Sequence, residues 1–343
     1  MRSVTPRRDP VGLAAKVAFL RDPASYPEPP ARIGVIESHM SWVFLAGDEA
    51  YKLKKPVRYP FLDFSTLEAR RADCRAELRL NRLLAREVYL GVVPLVARPG
   101  GGLALGGRGV AVDWLVRMRR LPADRMLDHA IRKGGLRPRD VLPAARKLAA
   151  FYHQAAPARI SIAAYLDRFA ADVSENLLEL QNPAFALPAK RIAAIGEAQR
   201  RFLEDHGRLL RRRVTEGRVI EAHGDLRPEH IYLGPPPEII DCLEFNRAFR
   251  LLDPTEELSF LAIECEQLGA PWVGESFLGV YRRGNGDRPP RRLISFYKST
   301  RALLRAKLSI WHLKERAPRT PAKWPRLARA YLRIADRHAR DLK

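Results

Sequence analysis

His223-Gly224-Asp225-Leu226-Arg227-Pro228-Glu229-His230-Ile231-Tyr232-Leu233, continuing through Pro235-Pro236-Pro237-Glu238-Ile239-Ile240-Asp241-Cys242, decides how the rest of the chain is read. A polar cluster runs into a short apolar strand, then a proline-rich turn, then a second apolar strand that ends on an acid. Such a hairpin is expected to carry Asp225 and Asp241 into one cleft. Two carboxylates presented in this way suit phosphoryl transfer, which asks little covalent chemistry of a protein. It needs a carboxylate to orient the acceptor hydroxyl, oxygen ligands for Mg²⁺, and a cation on the phosphates. Mg²⁺ takes one or two carboxylates, with phosphate oxygens and water completing its shell. Asp225 fits the first part and Asp241 the second.

The cation is sought upstream. Trp42-Val43-Phe44-Leu45 is a compact apolar run, Ala46-Gly47-Asp48-Glu49 a turn, and Ala50-Tyr51-Lys52-Leu53-Lys54 alternates with period two. That predicts a hairpin whose second strand sets Lys52 and Lys54 on one face. Either lysine can supply the cation. Asp63-Phe64-Ser65-Thr66 offers several helix caps, and a helix is expected from about Leu67 to Ala85. Strands resume between Val92 and Val116, and Met118 to Pro122 reads as a hinge. Beyond it the chain is helical, with helices expected over Ala144–Gln154, Ala163–Leu180 and Ile192–Val214. The β-rich island Val219–Ile240 interrupts them. The expected plan is α+β and two-lobed: a helical extension over 1–30, a small β-rich lobe over 31–121, and a larger, mainly helical lobe over 122–343.

His-x-Asp, with a polar residue five positions after the aspartate, is similar to the catalytic-loop pattern of kinases. His-Gly-Asp-Leu followed by Ile-Ile-Asp resembles the aminoglycoside phosphotransferase and choline kinase-like group, a branch of the protein-kinase-like fold. The nearer resemblance is to an uncharacterised bacterial branch of that group. It is carried by Glu37-Ser38-His39-Met40-Ser41-Trp42-Val43, Tyr51-Lys52-Leu53-Lys54-Lys55-Pro56, Glu77-Leu78-Arg79-Leu80-Asn81-Arg82 and Ile240-Asp241-Cys242-Leu243-Glu244-Phe245-Asn246. The likeness runs from about residue 30 to about residue 310.

The resemblance implies ATP and Mg²⁺ as cofactors and a small-molecule hydroxyl as acceptor. It makes Lys52 the lysine on the α- and β-phosphates, a candidacy Lys54 shares, and Glu77 the glutamate that positions it. It makes Asp225 the catalytic aspartate and Asp241 the metal ligand. Ser38 to Ser41 falls where a phosphate-covering loop belongs, and Met118, Arg119 and Leu121 fall at the adenine hinge. Two departures stand out. The phosphate loop lacks glycines, and His230 occupies the second metal-ligand position, where kinases usually carry Asn. Imidazole suits a hard cation poorly. The consequence is a single metal, or compensation by an oxygen of Glu244 or Asn246, or a nucleotide-binding regulator with little catalysis. His223 is expected to brace the loop. A transition-metal hydrolase built on His223, Asp225 and His230 would need further ligands that the sequence does not show.

The 343 residues carry a formal charge of +22. One reading is an anionic partner, nucleic acid being a third alternative for function. The favoured one is that arginine is abundant everywhere, since arginines occur in every segment and are mixed with acids in most of them, so nucleic acid is not the expected partner. Lys298, Arg301 and Arg305, at helical spacing, read as a solvated stripe. Cys74, Cys242 and Cys265 are odd in number and far apart, which predicts no disulfide framework and a reducing, cytoplasmic setting. The apolar run Val11–Leu20 is too short to span a bilayer and is broken by Lys16, so it predicts an amphipathic helix. Neither the acceptor nor the oligomeric state is legible.

Overall fold

The computed structural model describes residues 11–314 and 320–342. Residues 1–10 and 315–319 and the terminal Lys343 lie outside these. The chain divides into two compact units, one formed by residues 1–125 with 238–247, the other by 126–237 with 248–343.

In the first unit, six strands form one antiparallel sheet: β1 (Ile33–Glu37), β2 (Ser41–Ala46), β3 (Glu49–Lys54), β4 (Tyr89–Ala97), β5 (Leu103–Leu105) and β6 (Val110–Arg119). Their order is β1-β2-β3-β6-β4-β5. The β2–β3 hairpin closes as the alternation predicts, through Gly47 at φ 60°, a conformation glycine adopts without steric cost. Odd-numbered Tyr51 and Leu53 join Phe44, Leu95 and Leu115 in a core that also takes Leu20 from α1 (Leu13–Arg21). Even-numbered Lys52 and Lys54 point to the opposite face, toward α2 (Leu67–Asn81), where Cys74, Val88, Tyr89 and Val116 form a second core.

Lys16 does not interrupt an exposed face of α1. It is 1% exposed, and its ammonium donates to Val112 O and Asp113 Oδ2, both at 2.8 Å. Arg70 of α2 reaches the same Asp113 carboxylate. One buried acid thus ties α1 and α2 to the sheet from its two sides. The second helix starts where expected, Thr66 Oγ1 accepting the Ala69 N–H at 3.1 Å. It stops at Asn81, earlier than the expected Ala85.

The second unit is helical: α3 (Leu127–Lys133), α4 (Pro138–Gln154), α5 (Ile162–Leu180), α6 (Ala189–Thr215), α7 (Pro254–Gln267), α8 (Pro271–Gly284), α9 (Arg291–Trp311) and α10 (Lys323–Arg340). Helices α5, α6, α7, α9 and α10 share a core around Ile195, Ile263, Leu303 and Tyr331. Residues 254–265 of α7 are all buried.

The expected β island is mostly loop. Its strands are pairs of residues such as Ile220–Glu221, which meets Leu251–Leu252. The basic stripe of α9 is also not solvated. Lys298 is 5% exposed, and Lys298, Arg301 and Arg305 pair with Glu266, Glu256 and Glu264 of α7. Helical spacing fixes which residues share a face, and only packing decides whether that face meets water or a row of acids. Among the described residues, no helix is long and apolar enough to cross a membrane.

Candidate functional site

Two groups of polar residues stand out, one in each unit. In the first unit, β3 presents two lysines to one glutamate. Lys52 Nζ donates to Glu77 Oε1 at 2.9 Å and to Asp241 Oδ1 at 2.9 Å. Lys54 Nζ donates to Glu77 Oε2 at 2.7 Å, pairs with Asp73 at 2.6 Å, and bonds Glu244. Glu77 is fully buried and gives one carboxylate oxygen to each lysine. Burial alone would push both lysines down, but the surrounding carboxylates outweigh it and hold each well above the usual lysine range. Both are therefore ammonium ions at neutral pH.

The two lysines differ in access. The Lys54 side chain is 1% exposed and enclosed by three carboxylates, whereas that of Lys52 is 14% exposed and its partner Asp241 is 44% exposed. The six side chains together, two ammoniums and four carboxylates, carry a formal charge of −2.

Asp241 is held by backbone anchors that the sequence reading did not single out. Its N–H donates to the Tyr89 hydroxyl at 3.0 Å, and the next N–H, of Cys242, donates to Asn81 Oδ1 at 2.8 Å. Asp241 itself has φ 60°, the left-handed region that aspartate tolerates better than bulkier residues. Asn81 Nδ2 meanwhile donates to Glu77 O at 2.9 Å. Asp73, Glu77 and Asn81 therefore lie in one row at four-residue spacing along α2, two holding lysines and the third holding the acidic loop. That four-residue spacing is the signal in the sequence, masked there by the arginines of the same helix. Burial, with the nearby Glu77 and Asp241 charges, pushes the Tyr89 phenol far up, so it stays protonated.

The remaining first-unit candidates are more ordinary. Ser38 closes the β1–β2 turn, its N–H donating to Ser41 O at 2.9 Å and its hydroxyl accepting from the Met40 and Ser41 N–H groups. Met118 packs in the α2-side core, with Leu121 beside it. The Arg119 N–H donates to Val88 O at 2.8 Å. Asn246 is half-buried on the segment that carries Asp241 and Glu244.

In the second unit, the loop from His223 to His230 is built around Asp225. Glu257 on α7, fully buried, accepts the Gly224 N–H at 2.6 Å, the His223 N–H at 3.2 Å and the Tyr152 hydroxyl at 2.6 Å. Burial pushes its carboxyl up, against the pull of these three donors. Asp253 caps α7, accepting the Thr255 N–H at 2.8 Å, and is gripped by Arg213. His223 braces the loop, its Nδ1 accepting the Asp225 N–H at 3.3 Å. Arg227 lies 3.1 Å from Asp225 Oδ2, and His230 Nδ1 meets Asp225 O at 2.7 Å. Both ring nitrogens of His230 have protein partners, the second being Arg227 at 3.3 Å.

No family model matches the chain. Over 310 residues it is 34% identical to uncharacterized proteins of Mycobacterium tuberculosis and Mycobacterium bovis. The match covers 89% of this chain, and the chain spans 59% of the length of those relatives. Among solved structures, a choline/ethanolamine kinase family protein of Mesorhizobium loti aligns over 95% of this chain and 98% of its own, with TM-score 0.53 and 17% identity. The choline kinase of Cryptosporidium parvum aligns over 96% and 95%, with TM-score 0.54 and 9% identity. The aminoglycoside phosphotransferase APH(2")-IIia, solved with GDP and kanamycin, aligns over 94% and 98%, with TM-score 0.53 and 14% identity.

The fold is the protein-kinase-like fold of these enzymes. Its α+β plan, a sheet-rich unit and a helical one, is the one the hairpin and the helical half predicted. Within the kinase-like fold, Lys52, Lys54, Glu77, Asp241 and Glu244 come together in the first unit. Asp225, His223 and His230 come together in the second, along with Arg227 and Glu257.

Proposed function

We propose that this chain is an ATP- and Mg²⁺-dependent phosphotransferase that moves the γ-phosphoryl group to a hydroxyl of a small molecule. The observation that carries this reading is Lys52, bonded at once to a fully buried glutamate and to a half-exposed aspartate. Glu77 fixes the ammonium, and the exposed side of the pair leaves it accessible to an anion. Lys52 is the better phosphate ligand of the two lysines, because Lys54 is enclosed. Lys54 holds Glu77 in place from the other side.

The donors fit a hard divalent cation. Asp241 offers carboxylate oxygen, Glu244 lies three residues on, and the six side chains carry a formal −2. Mg²⁺ bound there would neutralise charge on the phosphate oxygens. Asp225 accepts a hydrogen bond from the acceptor hydroxyl and orients it, on a loop whose backbone is held by Glu257, His223 and His230. The fold shared with a structure solved with GDP and kanamycin supports a nucleotide and a small acceptor as the two ligands.

Titration calorimetry with ATP, with and without Mg²⁺, tests the reading. Micromolar binding that requires Mg²⁺ and weakens in Asp241→Asn is the expected result. Absence of binding by the folded native protein would remove it.

A further inference from the structure

His230 stands where the kinase pattern has a metal-binding asparagine, and its surroundings assign it different work. Its Nδ1 is 2.7 Å from the Asp225 carbonyl oxygen, and its Nε2 is 3.3 Å from Arg227 Nη2. The same Arg227 nitrogen is 3.1 Å from Asp225 Oδ2, while Arg227 Nη1 pairs with Glu229 at 2.8 Å. The contacts close a ring that runs from the Asp225 carbonyl through the His230 imidazole and the Arg227 guanidinium back to the Asp225 carboxylate. The ring's chemistry is fixed by its ends. A carbonyl only accepts and a guanidinium only donates. The imidazole must therefore donate from Nδ1 and accept at Nε2, as one neutral tautomer. It is 5% exposed, so solvent does not compete for either nitrogen.

We infer that His230 is a positioning residue. It holds the Arg227 guanidinium against the Asp225 carboxylate, and so sets the direction in which that carboxylate meets an acceptor hydroxyl. The kinetic part of this inference rests on the phosphotransferase reading, while the tautomer and the coupling to Arg227 do not. Asparagine at this position would keep an N–H for the carbonyl, but its side chain is too short to accept from Arg227 at the same time. A guanidinium fixed next to the reacting carboxylate is an orienting clamp, and small misplacements of such groups cost rate rather than affinity.

The test pairs spectroscopy with kinetics. In ¹⁵N-labelled native protein, His230 should show a protonated Nδ1 and a lone-pair Nε2 at neutral pH, and Arg227→Ala should shift the Nε2 resonance. His230→Asn and Arg227→Ala should each lower kcat for Mg²⁺-dependent ATP hydrolysis by roughly ten- to a hundredfold, with the KM for ATP unchanged. The double variant should be no slower than either single one, since the two residues act as one device. Arg227→Lys, which keeps the charge and perturbs the fold least, should recover part of the rate. A protonated Nε2, multiplicative losses in the double variant, or a gain of activity in His230→Asn would each overturn the assignment. Native protein that binds no ATP would remove the phosphotransferase reading, and the tautomer and its response to Arg227→Ala would still decide the clamp.

Discussion

Lys52 and Lys54 are two residues apart on one strand, bond the same glutamate, and are expected to fail differently when replaced. Lys54→Met leaves Asp73, Glu77 and Glu244 facing one another in a nearly dry site. Removing one partner of a buried ion pair strands the other, so a loss of about 3–5 kcal/mol is expected in denaturant unfolding. Lys52→Met removes a more accessible ammonium, and its larger effect should be on nucleotide binding. ATP affinity should fall by roughly ten- to a hundredfold, the worth of one hydrogen bond to a charged group, as measured by calorimetry. An equal stability cost in the two variants would mean that Lys52 is as structural as Lys54. For Asp225→Asn the expectation is different again. The amide cannot orient a hydroxyl as a carboxylate does, so turnover should drop by roughly a hundredfold or more while ATP binding is retained. Turnover close to native would remove Asp225 from its role.

Among the elements, α7 does the most to shape the catalytic-loop candidate. Its N-terminal turn supplies Asp253 as cap and Glu257 as acceptor for two loop amides and a tyrosine hydroxyl. Its later turns supply Glu264 and Glu266 to the basic residues of α9. Glu257→Ala would leave the Gly224 and His223 N–H groups and the Tyr152 hydroxyl without this acceptor, at about 1–3 kcal/mol for each buried group left unpaired. Amide hydrogen exchange should show the Gly224 N–H losing protection before the centre of α7 does. Uniform loss of protection across α7 would instead make Glu257 a support of the whole unit. The expectation of a solvated stripe on α9 failed at this scale too. The residues with which a helix pairs its charges belong to other helices, from 23 to 45 positions away in the chain for this row.

At the scale of the whole molecule, the formal charge of +22 coexists with a six-residue cluster that is formally −2. A divalent cation that binds only the native state raises its stability by mass action, about 2.7 kcal/mol at a hundredfold excess over Kd. Mg²⁺ should therefore raise the melting temperature of native protein, and the rise should vanish in Asp241→Asn. A rise of equal size in that variant would place the cation elsewhere. The overall positive charge carries a separate expectation. Binding to duplex DNA should be weak, blind to sequence, and lost steeply as salt increases, because only phosphate attraction is available to it. Sequence-selective binding that survives physiological salt would restore the nucleic-acid alternative.

The chain by itself determined what depends on local order. Alternation in β3 set Lys52 and Lys54 on one face, a glycine made the tight turn before them, and Thr66 marked the start of α2. The residues around His223, Asp225 and Asp241 carried the resemblance that implied the kinase-like fold. What only the tertiary structure decided concerns partners brought from a distance. It set Lys54 in a cage and Lys52 at its edge, anchored Asp241 through Asn81 and Tyr89, turned Lys16 inward onto Asp113, and closed His230 onto Arg227. Periodicity says which way a side chain points, but burial and the charge opposite are fixed only when the elements pack, since each is a property of two segments rather than one.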